Sequence, residues 1–176
     1  MKECTFGIIK PEAISNKSIG TIISMIENSN LTIEEMEMIS ASEEIITKHY
    51  YKEDHFVSAI GENILKAFID AGKDPIREIG TNDPLGAGRV LTRWVIEHMI
   101  SSPIIIMKIS GVDAIQRFRK LCGHTFPAMA SPDSIRGRLG DDDNNKSTLA
   151  KRPVLNFIHS SGDKDEAEFE LNLWFK

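Results

Sequence analysis

Cysteine is scarce in this chain of 176 residues, and the two cysteines, Cys4 and Cys122, lie far apart. Their spacing fits neither a metal site nor a redox pair, so we interpret them as small buried residues in a reducing cytoplasm. No apolar run approaches the ~20 residues that a membrane span needs. The apolar run near the N-terminus is too short for a signal peptide. We therefore expect a cytoplasmic protein with no membrane partner.

Several short catalytic motifs are also missing from the chain. There is no G-x-x-x-x-G-K-[ST] phosphate loop, no H-E-x-x-H pair and no G-x-S-x-G elbow. The bare GxG at 86–88 is interpreted as a flexible turn, and the acidic run at 141–143 as solvated surface rather than a cation site. Four of the five histidines are interpreted as surface or capping residues: His49, His55, His98 and His124.

The charge balance limits the partners that we expect. A formal net charge of -5 argues against a general nucleic-acid binder. It still permits an anionic small ligand, because a local cluster of arginine and lysine can make the inside of a cleft positive. The length suits one compact domain, which we place over residues 1–176.

The order of predicted elements indicates the fold class. Apolar runs predict four strands, the second with a bulge where its alternation slips: 5–10, 31–39, 103–109 and 154–158. Helical spacing and capping residues predict helices over 19–26 and 42–50, a helix that follows 111–113 and runs through residue 121, and a last helix capped by Asp163. The order β-α-β-α…α-β-α-loop-β-α predicts an α/β (α+β) protein with a ferredoxin-like split βαβ fold, a four-stranded antiparallel sheet covered by helices.

Two segments fall outside this scheme. Residues 61–88 are rich in glycine and contain Pro75 and Pro84, and they separate helical stretches at 63–71 and 89–100. We interpret them as an insertion with some helix of its own. Residues 123–153 are predicted to form a long loop, because they are rich in glycine, proline, aspartate and asparagine.

His159 differs from the other histidines by its context. It follows the apolar run 154–158, where a rigid strand can aim a side chain. A histidine nucleophile needs one ring nitrogen free and unprotonated, while an acceptor holds the other nitrogen. Glu170, in the following helix, can supply that acceptor. On this local pattern alone, a structural histidine with satisfied hydrogen bonds is the favoured interpretation.

Segments far from His159 in the chain favour a catalytic rather than a structural interpretation of this histidine. Six of them, in chain order, each contain a distinctive polar residue or ring: IIKPE (8–12), KHY (48–50), RKLCGHTFP (119–127), SIRGRLG (134–140), NFIHSS (156–161) and LWF (173–175). In that order they resemble the signature segments of the nucleoside diphosphate kinases. The resemblance covers residues 1–56, about 89–139 and 153–176. One such motif is weak, but six in order are specific.

The resemblance implies a role for each matching residue. His159 takes the γ-phosphoryl group as a phosphohistidine, Glu170 holds its other ring nitrogen, and Ser161 orients Glu170. The transferred group is surrounded by Lys10, Tyr50 and Asn156. The nucleotide and its phosphates are bound by Lys10, Phe56, Arg119, Thr125, Arg136 and Asn156. The resemblance further implies nucleoside di- and triphosphate substrates, ping-pong kinetics, Mg²⁺ carried on the nucleotide phosphates rather than in a protein site, and a homo-oligomer.

The chain departs from the family pattern in four places. Family members have a phenylalanine that stacks on the base, and Phe56 is the candidate counterpart in this chain. The alternative interpretation of Phe56 is ordinary helix packing. Insertions at about 61–88 and 138–153 alter the segments that cover the nucleotide and support subunit contacts. Ser160 stands where glycine or alanine is usual. A catalytically weak nucleotide-binding relative is therefore the second hypothesis; a general ferredoxin-like interaction domain leaves the motif order unexplained.

Overall fold

A four-stranded antiparallel sheet forms the centre of the computed structural model, which describes residues 2–175, with side chains from Glu3 onward. The strands are β1 (Lys2–Ile9), β2 (Thr32–Ile39), β3 (Ile104–Val112) and β4 (Ile158–Ser160). Their order across the sheet is β2-β3-β1-β4. The predicted ferredoxin-like α/β fold is confirmed.

Helices cover both faces of this sheet. Successive residues of a strand point to opposite faces, and β3 accordingly places Ile105 and Met107 in one apolar cluster and Ile104 and Ile106 in another. The helices are α1 (Pro11–Ser15), α2 (Ile19–Glu27), α3 (Glu43–His49), α4 (Asp54–Asp70), α5 (Pro75–Ile79), α6 (Pro84–Ile100), α7 (Ala114–Cys122), α8 (Ile135–Leu139), α9 (Asn144–Leu149) and α10 (Lys164–Trp174). Among the described residues, no helix is long and apolar enough to cross a membrane.

Local sequence signals placed several elements correctly. The bulge predicted in the second strand lies between Ile33 and Glu35, where the pairing of β2 with β3 shifts register. The side chain of Ser42 caps α3 by accepting a hydrogen bond from the backbone N–H of Ile45. Asp163 caps α10 in the same way through Glu166. These signals depend on neighbours in the chain, so they are readable without tertiary context.

The prediction for the last strand was wrong. Residues 154–157 are not part of the sheet, and β4 begins only at Ile158. The backbone turns at Phe157, whose φ of 67° is incompatible with a strand. His159 therefore lies within β4, directly opposite Ile8 of β1, rather than after the strand. Of the apolar residues before it, Val154 and Leu155 are half-buried, and Phe157 packs in a core cluster.

The prediction of a long loop at 123–153 was also wrong. This segment contains α8, α9 and a 3-10 helix at Pro127–Met129. Asp143, one of the residues interpreted as a loop former, caps α9, and Ser134 caps α8. Asp142 was wrongly assigned to solvated surface, because it is buried and accepts hydrogen bonds from the Arg152 guanidinium.

The helices around the predicted insertion are longer than expected. α4 begins at Asp54 rather than at residue 63, and α6 begins at Pro84 rather than at 89. Gly61 and Gly88 lie where the two helices touch: a Cβ on Gly61 would overlap the backbone oxygen of Pro84, and one on Gly88 would overlap that of Val57. The GxG at 86–88 is thus helical, and its last glycine permits close helix packing rather than a flexible turn.

We expect Gly61→Ala to lower the free energy of unfolding by about 1–3 kcal/mol, because the added methyl group must push α4 and α6 apart. The matched control is Gly20→Ala in α2, where a Cβ meets no atom within 4 Å. That change should leave stability equal or raise it by up to about 1 kcal/mol, since alanine favours a helix. Denaturant unfolding measures both; equal stability of the two variants would contradict the close packing.

Candidate active site

His159 is held by one ring nitrogen and leaves the other open. Its Nε2 lies 2.7 Å from Glu170 Oε1. Burial, and then the nearby Lys10 ammonium, lower the pKa of His159, so the ring is neutral at neutral pH. A neutral ring beside a carboxylate carries its proton on Nε2 and donates it to Glu170. Nδ1 then has a free lone pair, and no described residue occupies it through a hydrogen bond. This is the arrangement that a nucleophile requires.

Glu170 is fixed from two sides. Its side chain is 1% exposed, and its second oxygen, Oε2, accepts a 2.6 Å hydrogen bond from Ser161 Oγ. The Ser161 hydroxyl oxygen also accepts a hydrogen bond from the backbone N–H of Phe6 in β1. Burial raises the pKa of Glu170 to about 7. The carboxylate therefore cannot rotate away from His159, and its protonation state changes near neutral pH.

His49 belongs to this site, contrary to its interpretation as a surface or capping histidine. It is buried, and its ring meets the His159 ring edge-on with 4.6 Å between centroids. The Trp174 indole N–H donates to His49 Nδ1 at 3.2 Å, and burial lowers the pKa of His49 to about 3. His49 is thus neutral, with its proton on Nε2. The sequence signal for this role of His49 is that His49 lies in the KHY segment and its partner Trp174 in the LWF segment.

Three of these side chains are close enough to hold a metal ion. Among the described residues, His49, His159 and Glu170 form the one such group, with donor atoms within 4.8 Å of one another. Several of their donor atoms already make hydrogen bonds: Glu170 binds Ser161 and His159, and His49 Nδ1 binds Trp174, whereas His159 Nδ1 and His49 Nε2 have no hydrogen-bond partner among the described residues. These hydrogen bonds orient the His159 ring.

Lys10 and Asn156 join two further segments at the site. Lys10 Nζ donates to Asn156 Oδ1 at 2.7 Å, and Asn156 Nδ2 donates to the backbone oxygen of Thr125 at 3.1 Å. Burial lowers the pKa of Lys10 to about 8. The strand end, the 119–127 segment and the NFIHSS segment are therefore locked together beside the nucleophile.

The two predicted arginines differ in their surroundings. Arg136 is buried, and its guanidinium donates to the backbone oxygens of Ile158 and Gly123, at 2.8 Å in each case. It therefore fixes the start of β4, while each of its terminal nitrogens keeps one further hydrogen to donate. Arg119 is exposed on α7, and its Nη1 donates to the backbone oxygen of Ser161 at 3.4 Å. Both cations thus lie against residues next to His159.

A cavity of about 400 Å³ opens beside these residues. Four of the predicted site residues line it, namely Lys10, Tyr50, Thr125 and Asn156. The buried Tyr50 hydroxyl has no hydrogen-bond partner within residues 2–175, and its burial raises its pKa. Phe56 is 56% exposed and does not line the cavity; it borders a shallow depression that shares Ile60 and Asn63 with the cavity wall.

Comparison with known proteins assigns this arrangement to a family. The sequence model described as "Nucleoside diphosphate kinase" matches residues 3–69 and 88–176. The chain belongs to the nucleoside diphosphate kinase family. Members of this family are phosphotransferases. The match skips residues 70–87, which contain α5, and runs without a break through residues 138–153.

Individual relatives extend over the whole chain. The nucleoside diphosphate kinase of Pyrobaculum aerophilum is 37% identical over 174 residues, which cover 99% of this chain and 95% of the relative. A crystal structure of an NDP kinase from the same organism has a TM-score of 0.94 and 35% identity, covering 100% of this chain and 97% of that one. A nucleoside diphosphate kinase from Borrelia burgdorferi, solved as a transition-state mimic with vanadate and ADP, has a TM-score of 0.77 and 25% identity, covering 99% and 88%.

Proposed function

We propose that this nucleoside diphosphate kinase moves the γ-phosphoryl group of a nucleoside triphosphate, usually ATP, to a nucleoside diphosphate through a phosphohistidine at His159. The observation that carries the proposal is the 2.7 Å hydrogen bond between His159 Nε2 and the buried Glu170 carboxylate. It leaves Nδ1 unprotonated and aimed by β4. A protein that only bound nucleotides would gain nothing from an imidazole fixed in this tautomer.

The transfer has two balanced steps. The lone pair of His159 Nδ1 attacks the γ-phosphorus in line, the bond to the bridging oxygen breaks, and the nucleoside diphosphate leaves with that electron pair. A terminal phosphate oxygen of the acceptor then attacks the phosphohistidine, and the P–N bond breaks. Negative charge is spread over the phosphoryl oxygens in both steps, so positioned cations lower the barrier. Lys10 and Arg136 act electrostatically on His159, and Arg119 contacts the backbone of Ser161, so these cations are proposed to supply that charge.

The family is consistent with a requirement for a divalent cation. We propose that this cation is Mg²⁺ carried on the nucleotide. No aspartate or glutamate lines the cavity among the described residues, whereas Lys10, Thr125 and Asn156 do. Such residues bind phosphate oxygens, and Mg²⁺ is commonly held through substrate phosphates and water. When bound, the cation neutralises phosphate charge. Lys10, Thr125 and Asn156 orient the phosphates.

Steady-state kinetics test this proposal against the alternative of a weak nucleotide-binding relative. With ATP as donor and CDP as acceptor, double-reciprocal plots at several fixed CDP concentrations should be parallel, because the donor product leaves before the acceptor enters. Intersecting lines would contradict a phosphoenzyme. Nucleotide binding with no transfer would instead support the regulatory alternative.

We expect Arg119→Ala to weaken nucleotide binding by about 10- to 100-fold, the effect of losing a charge-assisted hydrogen bond to phosphate. The fold should survive, because Arg119 is exposed and makes a single long contact at 3.4 Å. Arg117→Ala, an exposed arginine on the same helix, is the control and should bind normally. Equilibrium titration with ADP, with a thermal melt of each variant, separates binding from stability. A large fall in melting temperature would identify Arg119 as structural.

Three wider properties complete the proposal. The chain acts as one domain over residues 1–176 with insertions at about 61–88 and 138–153. It works in the cytoplasm, in keeping with Cys4 and Cys122, which are both free thiols. It forms a homo-oligomer through surfaces such as the edge strand β2, where Met36 and Met38 are 47% and 58% exposed. Phe56 as the ring that stacks on the base stays a prediction.

A further inference from the structure

An ion pair lies next to the site although the proposed mechanism does not use it. Lys52 Nζ lies 3.0 Å from Glu166 Oε1. Lys52 lies between α3 and α4, shortly after Tyr50, and it lines the shallow depression that borders the cavity. Glu166 lies in the first turn of α10, the helix that follows His159. The pair therefore joins the segment that contains Tyr50 to the segment that contains the nucleophile.

Glu166 is held in place independently of Lys52. Its Oε2 accepts a hydrogen bond from the backbone N–H of Gly162, and its own backbone N–H donates to Asp163 Oδ1 at 2.9 Å. These bonds resemble a capping box, in which the third residue of a helix accepts from a backbone N–H that precedes the helix. A Cβ on Gly162 would lie only 2.6 Å from Glu166 Oε2. The carboxylate would thus stay near His159 if Lys52 were removed.

Both charges of the pair act on His159. Burial has the largest effect on the pKa of His159, and among the surrounding charges Glu166 raises this pKa whereas Lys52 lowers it. Burial opposes the ionisation of Glu166, but hydrogen bonds from Lys52 and Gly162 hold the pKa of Glu166 below its ordinary value. Glu166 is therefore ionised at neutral pH. An ionised carboxylate repels an incoming phosphate, and the repulsion is stronger in a partly buried site than in bulk water.

The exposure of the pair argues against a role in stability. The side chains of Lys52 and Glu166 are 50% and 28% exposed. Ion pairs of this kind contribute little to stability, because solvent screens them and ordering two long side chains costs entropy. The location of the two charges beside the nucleophile is therefore the feature that needs a functional explanation.

We propose that Lys52 is a positioning residue for phosphoryl transfer, which neutralises the Glu166 carboxylate beside His159 so that Glu166 does not oppose the binding of the nucleotide phosphates. The inference rests on the proposed function. Lys52 acts through Glu166 rather than through the reacting atoms. Loss of Lys52 should consequently impair transfer only while residue 166 is charged, and removal of both charges should restore it.

A double-mutant cycle tests this dependence, with kcat/KM measured for ATP and CDP. Lys52→Ala should lower kcat/KM about tenfold, the effect of one uncompensated charge facing a multiply charged phosphate. Glu166→Gln keeps an acceptor for the Gly162 N–H, and it should leave kcat/KM equal or up to about threefold higher. The double variant, with Lys52→Ala and Glu166→Gln, should lie within about threefold of the wild type, as should Lys52→Arg. Lys48→Ala is the control, because it removes an exposed lysine that pairs with Glu44 on α3.

Ionic strength separates a charge effect from a structural one. Added salt should reduce the ratio of wild-type to Lys52→Ala kcat/KM, because salt screens partly exposed charges. Lys52→Gln repeats the test if the alanine variant is unstable.

Three results would overturn the inference. These are a kcat/KM of Lys52→Ala within twofold of the wild type, a double variant as impaired as Lys52→Ala, or equal losses in the two single variants. Equal losses are the behaviour of a pair that only holds two segments together. Failure of the proposed function looks different, because the wild type itself would then transfer no phosphate.

Discussion

Replacing His159 with alanine should abolish phosphoryl transfer, with a fall in kcat of at least about four orders of magnitude, as expected when a covalent nucleophile is removed. The imidazole alone presents a lone pair to the γ-phosphorus, and the adjacent His49 cannot replace it. His49 Nδ1 is occupied by the Trp174 indole N–H, and its Nε2 carries the proton. A coupled assay with ATP and CDP measures the loss.

The nucleotide affinity of His159→Ala should stay close to that of the wild type, because the cations that hold the phosphates are untouched. His55→Ala removes an exposed histidine that pairs with Glu53, and it should leave kcat unchanged. If His159→Ala kept a tenth or more of the activity, another group would have to be the phosphoryl acceptor. A matching loss in both variants would point to a general defect rather than to the nucleophile.

Glu170→Gln should lower kcat by about two to four orders of magnitude, the range expected when a group that fixes a histidine tautomer loses its charge. A glutamine can present its N–H to His159 Nε2, which would leave the proton on Nδ1 and block attack. The wild type should show the same effect as pH falls through about 7, because burial raises the pKa of Glu170 to about 7 and the protonated acid donates to Nε2. The kcat profile of Glu170→Gln should lack this acidic limb.

The stability of Glu170→Gln distinguishes a role in orientation from a purely structural one. Because the folded pKa lies above that of an unfolded glutamate, the folded state binds the proton more tightly, and ionised Glu170 destabilises the fold increasingly above pH 4.5. At pH 8 the neutral glutamine should therefore leave the free energy of unfolding equal or higher. Glu168→Gln, exposed on the same helix, is the control. Full activity in Glu170→Gln would contradict the tautomer account.

Local chemistry explains which parts of the fold were predictable. Ser42 and Asp163 correctly predicted the starts of α3 and α10, because a capping side chain accepts a hydrogen bond from a backbone N–H within three residues. The slip in alternation of β2 marked a real bulge, since the side-chain period of a strand is two. Both signals lie wholly within a few residues of sequence.

Other features depend on contacts that no local pattern contains. Gly61 was taken as the boundary of an insertion and Gly88 as part of a flexible turn, but both belong to helices, which touch at those positions. Val154 was taken as part of a strand, but it lines a cavity. Because Phe157 has a positive φ, β4 begins later in the chain than predicted. His49 was missed because its burial depends on Trp174, 125 residues away.

The candidate site was predictable mainly through the order of its segments. His159 and Glu170 are 11 residues apart, and the structure brings them to hydrogen-bonding distance. The local pattern alone favoured a structural histidine; the resemblance carried by Lys10 and Arg119 reversed that interpretation. What the sequence could not supply is the side of the cavity that arises only where α9 packs against α4.

Transient labelling tests the central claim most directly. The protein is incubated with ATP labelled at the γ-phosphate, the nucleotide is removed, and the label on the protein is challenged with acid, base and then CDP. A phosphohistidine at His159 predicts label that survives base, is lost in acid, passes to CDP, and is absent from His159→Ala. The account is contradicted if the wild type takes no label, or if His159→Ala is labelled equally.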